Sequence, residues 1–228
     1  MSLRLKSSVR PSVRDFIEQL AKLRFDGVFN PYADICPEHD KADAPAIRRR
    51  NLAFALEAAL NCRVESLWIA RDLGYRGGRR TGLALTDDLH LAEHAKLLHS
   101  PSFARSTKGP AVAERTASVI WEALMAVQQP IFLWNVFPLH PHEPGSPMSN
   151  RRHTRAERQA CRPLLMWLLE NLRPRSVLAI GRDAQLALVD LQVEAVQIRH
   201  PSYGGHSEFL DSVFSHYGVR RSRPRDKK

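Results

Sequence analysis

The chain has 228 residues, of which 43% are hydrophobic, so it can bury a core and is not a disordered protein. Its 34 Lys and Arg outnumber 24 Asp and Glu, and this formal charge of +10 favours a polyanionic partner, although a merely soluble basic protein would also carry it. No apolar run approaches the ~20 residues that span a bilayer, and the first residues do not resemble a signal peptide. We therefore expect a cytoplasmic protein without membrane contact, nucleoid-associated if bacterial.

The first 43 residues are predicted to form a helix and a loop that pack on the rest of the chain. Ser12 and Asp15 have the spacing of a helix cap, and apolar residues follow at helical intervals as far as Leu23. Residues 29–34 are typical of a structured loop, although the polar and aromatic side chains of this loop are also candidates for lining a site. Asp43 and Pro45 then begin a second helix.

Four apolar runs are predicted to be parallel strands that are covered on both faces. They are residues 66–70, 131–134, 176–180 and 194–198. Helical patterns connect them at residues 111–127, from the Thr154 capping box to Leu172, and from about Asp183, and a last helix covers residues 206–216. We expect residues 86–110 to be irregular and residues 140–152 to be a surface loop. One α/β domain over residues 44–218 follows, with a basic, disordered tail at residues 219–228.

Three side chains suited to chemistry come directly after predicted strands. Asp72 and Asn135 follow the first and second strands, and His200 follows the fourth. Ligands of open α/β sheets bind outside the carboxyl ends of the strands, so these side chains are expected to face one cleft. Each also has a structural alternative: Asp72 as a loop cap, Asn135 as a partner of loop backbone, and His200 as a structural or exposed histidine.

A group of arginines is expected to surround the same cleft. It comprises Arg71, Arg76, Arg79, Arg80, Arg182 and Arg199. Contacts to phosphates are the favoured interpretation, and a solvated basic surface is the alternative.

Metal and disulfide chemistry are not favoured by the sequence. The ten histidines include no His-Glu-x-x-His pattern, and the three cysteines are odd in number and widely spaced. His140 and His142 are expected at the solvated surface. We therefore expect neither a metal nor an organic cofactor.

Several segments, in order, resemble the uracil-DNA glycosylase superfamily. ARDLGYRGGRRTG at residues 70–82 is similar to the first motif and its loop, and FLWNVFP at 132–138 to the middle strand with its base-recognising Asn. HPS at 200–202 resembles the final motif, and ACRP at 160–163 with VLAIG at 177–181 the connecting segment. The similarity runs from about residue 66 to residue 209.

This resemblance implies a single-domain, three-layer α/β/α fold with a four-stranded parallel sheet. It also implies that the chain hydrolyses the N-glycosidic bond of a flipped, deaminated base in DNA, most simply uracil, as a monomer without a cofactor. Asp72 would orient water and stabilise the sugar cation, and His200 would donate to the departing base. The base-binding residues would be Asn135, Arg71 and Leu85, and the DNA-binding residues would be Arg76, Arg79, Arg80, Ser202, Tyr203 and Gly204.

Three departures from the family pattern keep other functions open. Ala70 and Leu73 replace a Gly and a Pro of the first motif, and Leu85 stands where an aromatic ring commonly stacks on the base. One alternative is therefore a catalytically weak nucleic-acid-binding protein of the same fold. Another is a glycosylase for a different lesion, such as hypoxanthine, because Leu85 leaves more room than a ring.

Overall fold

The computed structural model describes residues 12–202 and 204–220. The first half of this region contains α1 (Val13–Lys22), β1 (Val28–Phe29), α2 (Ala44–Cys62), β2 (Ser66–Asp72), α3 (Gly78–Thr81) and α4 (Leu91–Leu97). The second half contains α5 (Arg115–Val127), β3 (Ile131–Phe137), β4 (His140–Pro141), α6 (Arg155–Leu172), β5 (Ser176–Ile180), α7 (Arg182–Asp190), β6 (Val196–Ile198) and α8 (His206–Tyr217).

The four predicted strands form one parallel sheet in the order β3-β2-β5-β6. Leu67 and Ile69 of β2 face one hydrophobic cluster, and Trp68 and Ala70 face the other, because successive side chains point to opposite sides of a strand. Helices α1, α2, α6 and α7 cover the first face, and α5 and α8 cover the second. This arrangement is the expected three-layer α/β/α fold.

The N-terminal helix is part of the core. Ser12 and Asp15 form a reciprocal capping box, and Phe16 packs against the rings of Trp134 and Trp167. In the following loop the buried Tyr32 hydroxyl donates a 2.7 Å hydrogen bond to the carbonyl of Gly82. The polar and aromatic residues of this loop thus act as structural contacts that hold the N-terminal segment against the loop after β2.

Two expectations about the connecting segments were wrong. Residues 86–110 are not wholly irregular, because α4 lies within them. Residues 140–152 are not simply a surface loop, because β4 pairs with β1 and His140 is fully buried. His140 is satisfied there: its Nδ1 accepts from Arg79, and its Nε2 donates to the carbonyl of Ser149. Of the tail predicted at residues 219–228, residues 221–228 lie outside the described residues. No helix among those described is long and apolar enough to cross a membrane.

Two buried histidines, His94 and His140, remain neutral in the folded protein. Burial lowers the pKa of each to about 3, and the nearby Arg79 guanidinium adds to the effect at His140. In the unfolded chain each ring has an ordinary pKa near 6.5 and gains a proton below that pH. Because the unfolded state then binds more protons, stability is lost as the pH falls from about 6.5 towards 3.

We expect His94→Phe to reduce this sensitivity to acid. The wild-type free energy of unfolding should fall by about 1.4 kcal/mol per pH unit for each buried histidine, and the variant should lose one such contribution. Urea unfolding at pH 7.0 and 5.5 measures the difference. His206→Phe is the control, because His206 is about half exposed. An unchanged pH dependence in His94→Phe would contradict this assignment.

Candidate active site at the carboxyl ends of the strands

A cleft of about 680 Å³ opens where β2, β5 and β6 end. The chain leaves β2 towards β3 on one side and later returns to β5 on the other, so the cleft lies at the point where the strand order reverses. A larger and more open depression of about 860 Å³ lies beside the opposite ends of β5 and β6, but neither histidine nor aspartate lines it. The side chains suited to catalysis therefore point to the smaller cleft.

Asp72 lines this cleft, and both of its carboxylate oxygens are occupied. Oδ2 accepts a 2.5 Å hydrogen bond from Nε of Arg71, and Oδ1 is paired with Nδ1 of His153. The side chains of Asp72 and His153 are almost fully buried. Charge-assisted bonds in a buried place are strong, so the Asp72 carboxylate has a fixed orientation.

Arg71 connects Asp72 to a second carboxylate in the cleft. Its guanidinium also donates to Asp183 of α7 at 2.7 Å, and Arg152 approaches Asp183 at 3.4 Å. The Arg71 side chain is therefore committed to two carboxylates, and its predicted contact with the base is left to its backbone.

His200 lies across the cleft with one ring nitrogen in use. The backbone N–H of Ser202 donates to Nδ1 at 3.2 Å, so the proton of the neutral ring belongs on Nε2. Burial, followed by the charge of Arg71, lowers the pKa of His200 below 6.5, against the opposing effect of Asp183. His200 is thus a neutral imidazole at pH 7 with an N–H that is free to donate.

Asn135 lies in the sheet next to the cleft. It pairs in register with Ala70, which lines the cleft, and the two residues project to the same face of the sheet. The residue is only 1% exposed, and neither Oδ1 nor Nδ2 has a hydrogen-bond partner among the residues that the structure describes. Such an amide is costly to bury unless a ligand completes its bonds.

Leu85 and Glu114 line the same cleft from the segments that follow α3 and precede α5. Leu85 has a positive φ of 53°, and its carbonyl accepts a 3.1 Å hydrogen bond from the indole of Trp121. Burial and the nearby charge of Asp87 raise the pKa of Glu114 to about 7, although Arg76 opposes this shift.

Two of the arginines predicted to contact DNA lie inside the protein, so this part of the prediction was wrong. The Arg79 guanidinium lies 3.8 Å from the ring centre of Phe29 and donates to His140, and Arg80 forms an ion pair with Asp88. Both are satisfied by internal partners, and less than a tenth of either is exposed.

The other residues predicted to bind DNA are not buried like Arg79 and Arg80, or lie outside the described residues. Arg76 and Gly204 are exposed, Ser202 lines the cleft, and Tyr203 lies outside the described residues. Across residues 12–202 and 204–220, no group of three or more His, Cys, Asp or Glu side chains is arranged to hold a metal ion.

The sequence comparisons agree with this geometry. A profile of the Uracil DNA glycosylase superfamily matches residues 79–215, which is more than half of the chain. The chain belongs to this superfamily. Membership assigns it to the DNA glycosylases, the hydrolases that act on DNA in base excision repair.

A solved structure shows the same fold. SMUG2 from Pedobacter heparinus superposes with a TM-score of 0.58 over 89% of this chain and 97% of that chain, at 14% sequence identity. No curated protein sequence matches the chain.

Sequence patterns did not indicate His153, Asp183 or Glu114. His153 precedes a capping box, and Asp183 and Glu114 lie at or before the start of a helix, where acidic residues are common for other reasons. For Glu114, an indirect signal lies in the two glycines of the loop after Asp72. An added Cβ at Gly74 or Gly77 would lie within 2.5 Å of a Glu114 oxygen, so these glycines make room for the carboxyl group.

We expect Gly181→Ala to destabilise the protein by about 2–3 kcal/mol, because Gly181 has a φ of +94° that other residues rarely adopt and a new Cβ would lie 3.0 Å from the Cβ of His200. Gly109→Ala is the control: its φ is +72°, but nothing lies within 4 Å of a Cβ there, and its cost should be about 1 kcal/mol. Urea unfolding measures both. Equal losses would contradict a specific contact between Gly181 and His200.

Proposed function

We propose that this glycosylase removes uracil from DNA by hydrolysing the bond between the base and its deoxyribose. The observation that carries the proposal is the unpartnered amide of Asn135 beside the cleft. An asparagine offers one acceptor and one donor side by side. Uracil presents an N–H donor next to a carbonyl acceptor, which completes both bonds. The base must leave the stack to reach this amide, as in other enzymes that act on a base.

Asp72 and His200 are suited to stabilise the two charges that develop during cleavage. As the bond breaks, positive charge develops on the sugar and negative charge on the departing base. The fixed carboxylate of Asp72 stabilises the sugar cation and can orient a water, and the free N–H of His200 stabilises the base anion. A neutral histidine is suited to this role because the N–H is available without an extra proton.

We assign the phosphate contacts to three groups: the exposed Arg76 guanidinium in the loop between the cleft-lining Gly74 and Gly78, the hydroxyl of the cleft-lining Ser202, and the backbone of the exposed Gly204. We also retain Tyr203 as a candidate contact. The working unit in this proposal is a monomer with the glycosylase domain at residues 44–218, acting in the cytoplasm or nucleoid.

Leu85 favours one further candidate, a glycosylase for hypoxanthine. Hypoxanthine has the same neighbouring N–H and carbonyl as uracil, so Asn135 would recognise both bases. An aliphatic side chain at the wall of the cleft leaves more space for a purine than a stacked ring would.

The proposal is tested by incubating the protein with single- and double-stranded oligonucleotides that carry uracil, hypoxanthine or xanthine. Alkali then cleaves any abasic site. We expect the strongest cleavage with uracil. The rate of base release should fall at least 100-fold in Asp72→Asn and in His200→Ala, because each substitution removes the group that stabilises one of the two developing charges. Asp43→Asn is the control, since Asp43 is exposed and makes no side-chain cap bond.

If the protein releases hypoxanthine and no other base, hypoxanthine replaces uracil as the proposed substrate. No release of any base, with salt-sensitive binding to DNA retained, would instead support a nucleic-acid-binding protein without turnover.

We expect Asn135→Asp to change the choice of base. An ionised aspartate only accepts hydrogen bonds, so it repels the carbonyl of uracil and favours the amino group of cytosine. The measurement is the rate of base release from oligonucleotides that carry uracil or cytosine. The ratio of the cytosine rate to the uracil rate should be at least 100-fold higher in Asn135→Asp than in the wild type. An unchanged ratio would remove Asn135 from base recognition.

A further inference from the structure

Glu114 is a third carboxylate in the cleft, beside Asp72 and Asp183, and the segment that begins α5 brings it there. Its backbone N–H donates a 2.6 Å hydrogen bond to Asp87, which fixes the start of the helix. The carboxyl group lies against the loop after β2. A Cβ added at Gly77 would lie 2.0 Å from Oε2, and one at Gly74 would lie 2.5 Å from Oε1. The carboxyl group can occupy this place because both of these residues lack a Cβ.

The Glu114 carboxyl group differs from that of Asp72 in having no bonded partner. Among the described residues, no group donates a hydrogen bond to either Glu114 oxygen, and the nearby Arg76 contributes charge without a bond. Both oxygens of Asp72, in contrast, are already paired with Arg71 and His153. A water that attacks the sugar needs an acceptor, and both Glu114 oxygens have all of their acceptor sites available for it.

We propose that Glu114 is the catalytic residue that binds and deprotonates the attacking water, while Asp72 acts as a fixed charge beside the sugar. This inference rests on the proposed glycosylase function. It assigns stabilisation of the sugar cation to Asp72 and activation of the water to Glu114. The bond from the sugar carbon C1′ to the base breaks, and its electron pair leaves on the base. The water oxygen forms the new bond to C1′, and its proton passes to the Glu114 carboxylate and then to solvent.

The surroundings of Glu114 are consistent with a base that works near neutral pH. Arg76 and Asp87 are the charged groups that act on Glu114 most directly. The other charged or titratable groups that line the same cleft are Arg71 and Asp72 at the end of β2, Arg151 and Arg152 before α6, Arg182 and Asp183 in α7, and His200 after β6. Burial and Asp87 raise the pKa of Glu114 to about 7, so its ionised form increases as the pH rises through 7. Burial and Arg71 lower the pKa of His200, which moves its titration away from that of Glu114.

The test is the single-turnover rate of base release by Glu114→Gln, measured from pH 6 to 8 on a uracil oligonucleotide. Wild-type protein should gain about tenfold in rate per pH unit up to about 7 and then level off. The variant should be about 100-fold slower at pH 8 and should show no such rise. Glu122→Gln is the matched control, because Glu122 is an exposed residue of the same helix and should behave as wild type.

Two further measurements exclude a merely structural effect. The unfolding midpoint of Glu114→Gln should match wild type, and so should its affinity for DNA carrying 2′-fluorodeoxyuridine, whose glycosidic bond resists cleavage. Glu114→Asp should keep part of the wild-type rate, because it retains a carboxylate.

The inference is overturned if Glu114→Gln stays within threefold of wild type, keeps the wild-type pH dependence, or loses rate with one base but not another. In each of these cases Asp72→Asn would still abolish release, and the proposed function would stand. If wild-type protein releases no base at all, the proposed function fails together with the inference.

Discussion

Helices cover both faces of the parallel sheet, and this constraint determines where chemistry can occur in the protein. Side chains in the middle of β2, β3 and β5 are surrounded by the two hydrophobic clusters. Polar side chains therefore contact a ligand where the strands end: Asp72 is the last residue of β2, and His200 comes shortly after β6. The cleft is a consequence of this layer arrangement together with the reversal of strand order between β2 and β5.

Around the cleft, ion pairs and hydrogen bonds orient the groups that line it. Asp72 is held by Arg71 and His153, and Arg71 is held in turn by Asp183. These contacts connect the end of β2 with α7 and with the segment before α6, so three elements must be in place before the carboxylate has its final orientation. Preorganised charges of this kind require little rearrangement when charge develops in a reaction.

Local signals predicted the secondary structure well. The capping boxes at Ser12 and Thr154 start helices where expected, and the apolar run at residues 176–180 matches β5. Such signals are contained within a few neighbouring residues, so the sequence alone displays them. The short pairing of β1 with β4 was missed because two-residue strands from distant segments carry no periodic pattern.

The details of the site depended on contacts that sequence does not display. Arg79 and Arg80 belong to a charged run that is typical of a DNA-binding surface, yet each has an internal partner from a distant or buried segment. Tertiary packing determines whether a guanidinium is buried, whereas the sequence shows only that the residue is charged. His153 and Glu114 reach the cleft for the same reason: loops bring them there, and the sheet pattern does not record loop geometry.

The bare amide of Asn135 has a consequence for how tightly the cleft can hold what enters it. An exposed asparagine must release its water before it bonds to a ligand, whereas Asn135 is already dehydrated in the folded protein. Dehydration of such a group costs about 1–3 kcal/mol, and this cost lowers the free energy of unfolding before any ligand binds. Under the proposed function, a complementary base would recover that energy when it binds, whereas a base with the wrong edge would leave both atoms without partners. The unsatisfied amide would then lower the stability of the folded protein and increase its discrimination between similar bases.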